Sequence, residues 1–140
     1  MWARCCASTN YAGHDGGHDT EGRKAAVGLA TCKKERLIGL HGPQNGGGVV
    51  VTRLIKWPGG DLLVNAASAG DSAQLSVRVS DAIRDPFEGF EHADCVPFPG
   101  DAVRHKVTWK GDRSMAEFEG KVVRLEIFLQ NADLFTIVAK

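Results

Sequence analysis

The side chains with most chemistry to offer are crowded near the start of the chain. The stretch CCASTNYAGHDGGHD, residues 5–19, holds two cysteines, two histidines and two aspartates in fifteen positions. Cys5, Cys6, His14 and His18 would supply four ligands, enough for a tetrahedral zinc ion. Their spacing argues against that reading. Adjacent cysteines chelate one ion only through a strained ring, and His-x3-His brings its imidazoles together only on a helix. The intervening Asp-Gly-Gly is a poor helix former. Asp15 and Asp19 lack the alternating pattern of a calcium loop. Residues 1–24 therefore read as an irregular polar arm or linker. His14 and His18 are its metal-ligand candidates, and no cofactor is expected.

Catalytic signatures are missing elsewhere. There is no Gly-x-Ser-x-Gly elbow, His-Glu-x-x-His, Walker loop or Rossmann fingerprint. NGGGVVV precedes a strand pattern rather than a helix, so it offers no helix N-terminus to a phosphate. The expectation is a protein that is not an enzyme. Seventeen basic residues balance seventeen acidic ones, which removes the general basic field expected of a nucleic-acid binder. Apolar runs such as Val49–Val51 are too short to span a bilayer, and MWARCCASTNY has no apolar core of an export signal. Cys5, Cys6, Cys32 and Cys95 permit several pairings or none, with Cys32 suited to packing as a small buried hydrophobe.

From Ala25 onward the pattern changes. Short runs rich in Val, Leu and Ile recur between turn signals, and helical spacing is scarce. Strands are expected over Ala26–Cys32, Arg36–Leu40, Gly48–Trp57, Asp61–Ala67, Ala73–Asp81, Ala102–Trp109, Lys121–Gln130 and Leu134–Ala139. In Gly48–Trp57, Val49, Val51, Ile55 and Trp57 share one face. Leu75, Val77 and Val79 alternate with polar residues, as do Val123, Leu125, Ile127 and Leu129. The one short helix candidate is Arg113–Phe118. This alternation predicts an all-β antiparallel β-sandwich, jelly-roll-like, of seven to eight strands, over residues 25–140.

On such a scaffold, long loops carry binding residues. Ala82–Gly100 holds three prolines and three phenylalanines. Sugar recognition needs an exposed aromatic ring flanked by planar polar groups. Trp57, Phe87 and Phe90 are the candidate platforms, with His92, Asp94 and Arg104 as polar partners. Each also has a structural reading: the phenylalanines would pin their loop, Trp57 would sit in core or rim, and Arg104 would pair with Asp101 or Glu126. Trp109, on the face of Val103 and Val107, reads as core.

The stretches DCVPFPGDAVRHKVTWKG and FEGKVVRLEIFLQNADLFTI carry a resemblance. Through Asp94, Cys95, Gly100, Asp101, Arg104, Trp109–Gly111, Gly120, Lys121, Val123–Leu125 and Ile127, the chain resembles a C-terminal β-sandwich module of bacterial, planctomycete-like multidomain proteins. Those proteins carry propeller domains like family 32 glycoside hydrolases or sialidases. Glu35-Arg36 stands where that family usually has an Asp-Gly turn. The resemblance implies a non-catalytic accessory module beside a carbohydrate-active domain, in an extracellular or periplasmic setting. Its expected partner is a polysaccharide or glycan, or a neighbouring catalytic domain; no nucleic acid and no membrane are expected. A structural or protein-interaction domain without a small-molecule ligand is the alternative, and a metal-binding arm on a sandwich is a third. Exposed aromatics on a sheet face would favour sugar binding. A flat apolar patch or a self-pairing edge strand would favour protein interaction.

Overall fold

The computed structural model describes residues 31–140, apart from residues 69, 71 and 99, together with the backbone of Trp2–Arg4. Cys5, Cys6, His14, His18 and all but the end of the expected Ala26–Cys32 strand lie outside the described residues. The fold is an antiparallel β-sandwich. Nine strands are described: β1 (Trp2–Arg4), β2 (Gly39–Gly42), β3 (Gly48–Val51), β4 (Ile55–Lys56), β5 (Leu62–Ser68), β6 (Gln74–Ser80), β7 (Asp101–Lys106), β8 (Val122–Gln130) and β9 (Ala132–Ala139). The larger sheet runs β1-β2-β9-β5-β7. In the smaller sheet β8 is central, with β6 on one edge and β3 followed by β4 on the other.

The two sheets are one sheet doubled over. β8 and β9 belong to different sheets yet are separated only by Asn131. β2 pairs with β9 while β3 pairs with β8, and β5 pairs with β9 while β6 pairs with β8. Three strand pairs therefore cross the same bend. Asn131 makes the corner with φ of 49°, a left-handed conformation that Asn tolerates better than most residues. Its N–H donates to the Pro43 carbonyl (3.3 Å) and its Nδ2 to Ser72 Oγ (3.2 Å), tying the three bends together. At Gly42 a Cβ would overlap the Leu129 carbonyl, so the ribbons approach too closely there for a side chain.

Period-two alternation does the packing. Val123, Leu125, Ile127 and Leu129 from β8 meet Leu62, Val64 and Ala66 from β5, with Leu75, Val77 and Val79 from β6 alongside. Trp57, Phe90, Trp109, Met115 and Phe118 close one end of this core. The expected helix Arg113–Phe118 is a 3₁₀ turn, Met115–Phe118. Ser114 caps it, and its two buried residues, Met115 and Phe118, face the core.

Four departures have local causes. The expected Gly48–Trp57 strand is two strands, because one extra residue lies opposite β8 between the pairs Val51↔Glu126 and Ile55↔Val123. That bulge reverses side-chain parity. Val49 and Val51 consequently point outward, at 47% and 43% exposure, while Trp57 is buried. Arg36 is not the start of a strand; it lies across the outer face of the larger sheet, its Nε donating to Asn65 Oδ1 (2.7 Å) and its Nη2 to Asp101 Oδ1 (2.6 Å). Cys32, expected to be buried, is exposed. Trp2–Arg4, expected within the irregular arm, forms an edge strand on β2; three residues are too few to show periodicity.

Replacing Gly42 by Ala is expected to lower stability by about 1–3 kcal/mol, the usual range for overpacking. Urea unfolding should show a lower midpoint at unchanged slope. An unchanged midpoint would show that the ribbons do not meet closely at this corner.

Candidate functional site

Two surfaces of the smaller sheet carry features that packing alone does not require. The first is its outer face. The register sets Glu126 opposite Arg78, Phe128 opposite Ser76 and Arg124 opposite Ser80. On the other side, Val49 neighbours Phe128 and Val51 neighbours Glu126. Glu126 is 2% exposed, although its alternation marks it as an outward, solvated position. It is covered by its partners. Arg78 Nη2 donates to Oε2 (2.7 Å), Arg84 Nη2 donates to the same oxygen (2.8 Å), and Ser80 Oγ donates to Oε1 (3.2 Å).

Arg84 reaches Glu126 from the loop after β6. Asp81 Oδ1 accepts from the N–H groups of Ile83 and Asp85 (both 2.9 Å), which folds the loop back. Arg84 sits at its turn with φ of 72°, a strained conformation for a long side chain. The ion pair with Glu126 offsets that strain. Hydrogen bonds from Arg84, then from Arg78, outweigh desolvation and hold the Glu126 carboxyl down at about 2.

His92, from the same loop, places Nδ1 3.1 Å from Ser76 Oγ and its ring edge-on to Phe128, centroids 6.3 Å apart. Burial, and next the nearby Arg78 charge, push its pKa below the ordinary histidine value, favouring the neutral ring. The face thus presents a half-buried Phe128, a neutral imidazole and a fixed arginine–carboxylate group.

The second surface is the edge formed by β3, which among the described residues pairs with β8 alone. The Thr52 N–H donates to the Leu125 carbonyl (2.9 Å), and backbone direction alternates along a strand. The N–H and C=O groups of Val49 and Val51 therefore face away from β8. Beside them, Leu54 and Val122 are 42% and 54% exposed. The edge of β6 is treated quite differently. Its Val77 N–H donates to Cys95 Sγ (3.4 Å), and its Val77 carbonyl accepts from Trp109 Nε1 (2.9 Å). Its Val79 N–H and carbonyl pair with Phe90 and Phe87 (both 3.0 Å). Burial pushes the Cys95 thiol up, keeping it protonated. β7, at the far edge of the larger sheet, exposes Asp101, Arg104 and Lys106, charges that discourage strand addition.

The sequence candidates do not form one site. Trp57, offered as a stacking platform, is 3% exposed, and its Nε1 donates to the Gly60 carbonyl (3.0 Å). Phe90, at 1%, packs against Trp109 and Phe118 with centroids 4.9 and 4.7 Å apart. Phe87 is half-buried against Phe118. Trp57 fills the core, and the two phenylalanines are structural because Ala82–Gly100 caps the β6 edge and needs anchors. Asp94 pairs with Lys110 (3.3 Å). Arg104 pairs with neither Asp101 nor Glu126 but holds Glu35 through two bonds of 2.7 Å on the larger sheet. Of the named candidates among the described residues, His92 alone lies on the outer face of the smaller sheet.

Arg78, Glu126, Phe128, Val49 and Val51 were not singled out as site residues. A glutamate inside the apolar run VVRLEIFL was the available signal for the first group. Thr52-Arg53 after three valines was the signal for the bulge.

Among the described residues, no group of three or more His, Cys, Asp or Glu side chains is arranged to hold a metal ion, and no helix is long and apolar enough to cross a membrane. Comparison with protein-family models, curated proteins and solved structures gives no match.

Stability should follow the Glu126 titration. Its folded pKa lies below the ordinary value of 4.5, so its contribution is present above about pH 4.5 and is lost as pH falls toward about 2. Arg84 is half exposed and its share is screened, so Glu126→Gln is expected to cost roughly 2 kcal/mol at neutral pH. The variant should also flatten the acid limb of a stability–pH curve. A parallel limb would show that Glu126 gains nothing from its arginines.

Proposed function

We propose that this β-sandwich is a non-catalytic protein-interaction module, and that the β3–β4 edge receives an extended segment of a partner protein. The observation that carries this reading is the contrast between edges. The β6 edge is capped at Val77 and Val79 and β7 is lined with charge, whereas among the described residues nothing pairs with the outward backbone groups of Val49 and Val51, whose side chains are exposed. A valine-rich edge left unpaired among the described residues invites strand addition. Main-chain hydrogen bonds would supply affinity, and Val49, Val51 and Val122 would supply an apolar surface for alternate partner side chains.

A second reading keeps the sandwich as a carbohydrate-binding accessory module. Phe128 beside His92, with Arg78 and Glu126 fixed next to them, supports it, because an aromatic rim flanked by planar polar groups suits a pyranose ring. The large exposed apolar side chains are nevertheless all aliphatic among the described residues, which weighs toward the protein partner.

The two readings separate cleanly. Extended peptides selected from a displayed library on the intact protein should lose binding to a Val49→Lys/Val51→Lys double variant. That variant should keep its stability within about 1 kcal/mol, since both side chains are exposed. Peptides that bind wild type and double variant alike would defeat the edge reading. For sugars, a panel of soluble and insoluble polysaccharides is scored against Phe128→Ala and Arg78→Ala. Trp57→Ala is unsuitable, because removing a buried Trp costs about 3–5 kcal/mol and unsettles the core. Glycan binding lost in the Phe128 variant would put the second reading first.

A further inference from the structure

The loop joining β2 to β3 reads Pro43-Gln44-Asn45-Gly46-Gly47. We infer that Asn45–Gly46 is a site of spontaneous deamidation in the folded protein, converting a neutral corner into an acidic one. The inference is independent of the proposed function.

The reaction needs only water. The Gly46 backbone nitrogen, having lost its proton to solvent base, attacks Asn45 Cγ. The bond from Cγ to the side-chain nitrogen breaks, ammonia leaves, and a cyclic succinimide remains. Water then adds to one of the two imide carbonyls and a ring C–N bond opens. Opening at Cγ leaves aspartate in an ordinary peptide linkage. Opening at the main-chain carbonyl leaves isoaspartate, with the chain continuing through the former side chain. Nothing is oxidised or reduced.

Three features place this chemistry here. Asn45 and Gly46 are both exposed, so solvent base and water reach them. A Cβ built on Gly46 meets nothing within 4 Å, and its φ of +82° is open to glycine, so neither a side chain nor the surroundings block the attack. The Gly46 N–H donates no backbone hydrogen bond among the described residues, so deprotonating it breaks none.

The other asparagines among the described residues, Asn65 and Asn131, are less exposed and have their side chains engaged. Asn65 is buried, its Oδ1 accepting from Arg36 and its Nδ2 donating to the Lys34 carbonyl. Asn131 Nδ2 donates to Ser72 Oγ. Each is followed by alanine.

The position gives the change structural consequences. The Gln44 carbonyl accepts from Gln130 Nε2 (2.9 Å), the Pro43 carbonyl accepts from the Asn131 N–H, and Gly47 abuts Phe128. The loop is therefore pinned on both sides of the reactive pair. Isoaspartate lengthens the backbone between those pins, directly before β3. Either product adds a carboxylate, taking the formal net charge from zero to minus one.

The test incubates the full-length protein, folded and guanidinium-unfolded, at neutral and mildly alkaline pH. Each sample is followed by isoelectric focusing and by mass spectrometry of the tryptic peptide Leu37–Arg53, in which Asn45 is the sole asparagine. The expected result is a more acidic species and a Leu37–Arg53 peptide split into aspartate and isoaspartate forms. It should accumulate faster at the higher pH, at a rate in the folded protein close to that of the unfolded chain. Asn45→Gln should abolish the peptide conversion. Conversion confined to the unfolded chain would overturn the inference, because the corner would then protect Asn45. An acidic species with Leu37–Arg53 unchanged would also overturn it.

Discussion

The bend at Asn131 is the constraint from which the rest of the molecule follows. One residue separates β8 from β9, yet the two strands face each other across the core. A chain can reverse sheets in so short a span only through a left-handed residue, and the neighbouring ribbons must bend at the same level to stay paired. Pro43 and Ser72, both hydrogen-bonded to Asn131, mark those neighbouring bends. Once the sheet is doubled over, its apolar faces have no other place to go. Dense burial of aliphatic side chains then stabilises the closed form by the ordinary transfer of apolar area from water.

Doubling a sheet leaves two outer faces and several edges, and the protein manages each in its own way. Over the larger sheet lies the segment Lys33–Arg36, held by Asp101, Asn65 and Arg104. Over the smaller sheet the loop after β6 lays Arg84 and His92 on Glu126 and Ser76. Both coverings are polar, and in each a buried charge, Arg36 or Glu126, pairs with partners that reach solvent. Such pairs contribute modestly to net stability because desolvation opposes them. They do fix which part of a long loop meets which strand.

The phenylalanines of the Ala82–Gly100 loop belong to the same logic. Phe90 is buried and Phe87 half-buried because that loop shields the β6 edge from strand addition. The β3 edge has no such cover among the described residues, and the bulge after Val51 is what turns two valines toward solvent there. Edge chemistry, rather than any loop aromatic, is therefore where this surface differs most from an inert sandwich.

Sequence by itself determined the strands β5, β6, β8 and β9, their approximate limits and the inward sets on β6 and β8. Period-two patterning is a local property, and each strand carries its own. Trp109 was legible as core for the same reason, since it follows Val103 and Val107 on one face. Parity after Val51 was not legible, because a bulge depends on how Thr52–Leu54 meets β8 far along the chain. Neither was the burial of Glu126, whose arginine partners lie 48 and 42 residues away. Trp57, Phe90 and Arg104 looked like binding residues because an aromatic or charged side chain near a turn, on a loop or on a sheet face has no local mark of its partners. Only the doubled sheet decided that the first two fill the core, that Arg104 holds Glu35, and that the valines of β3 remain in water.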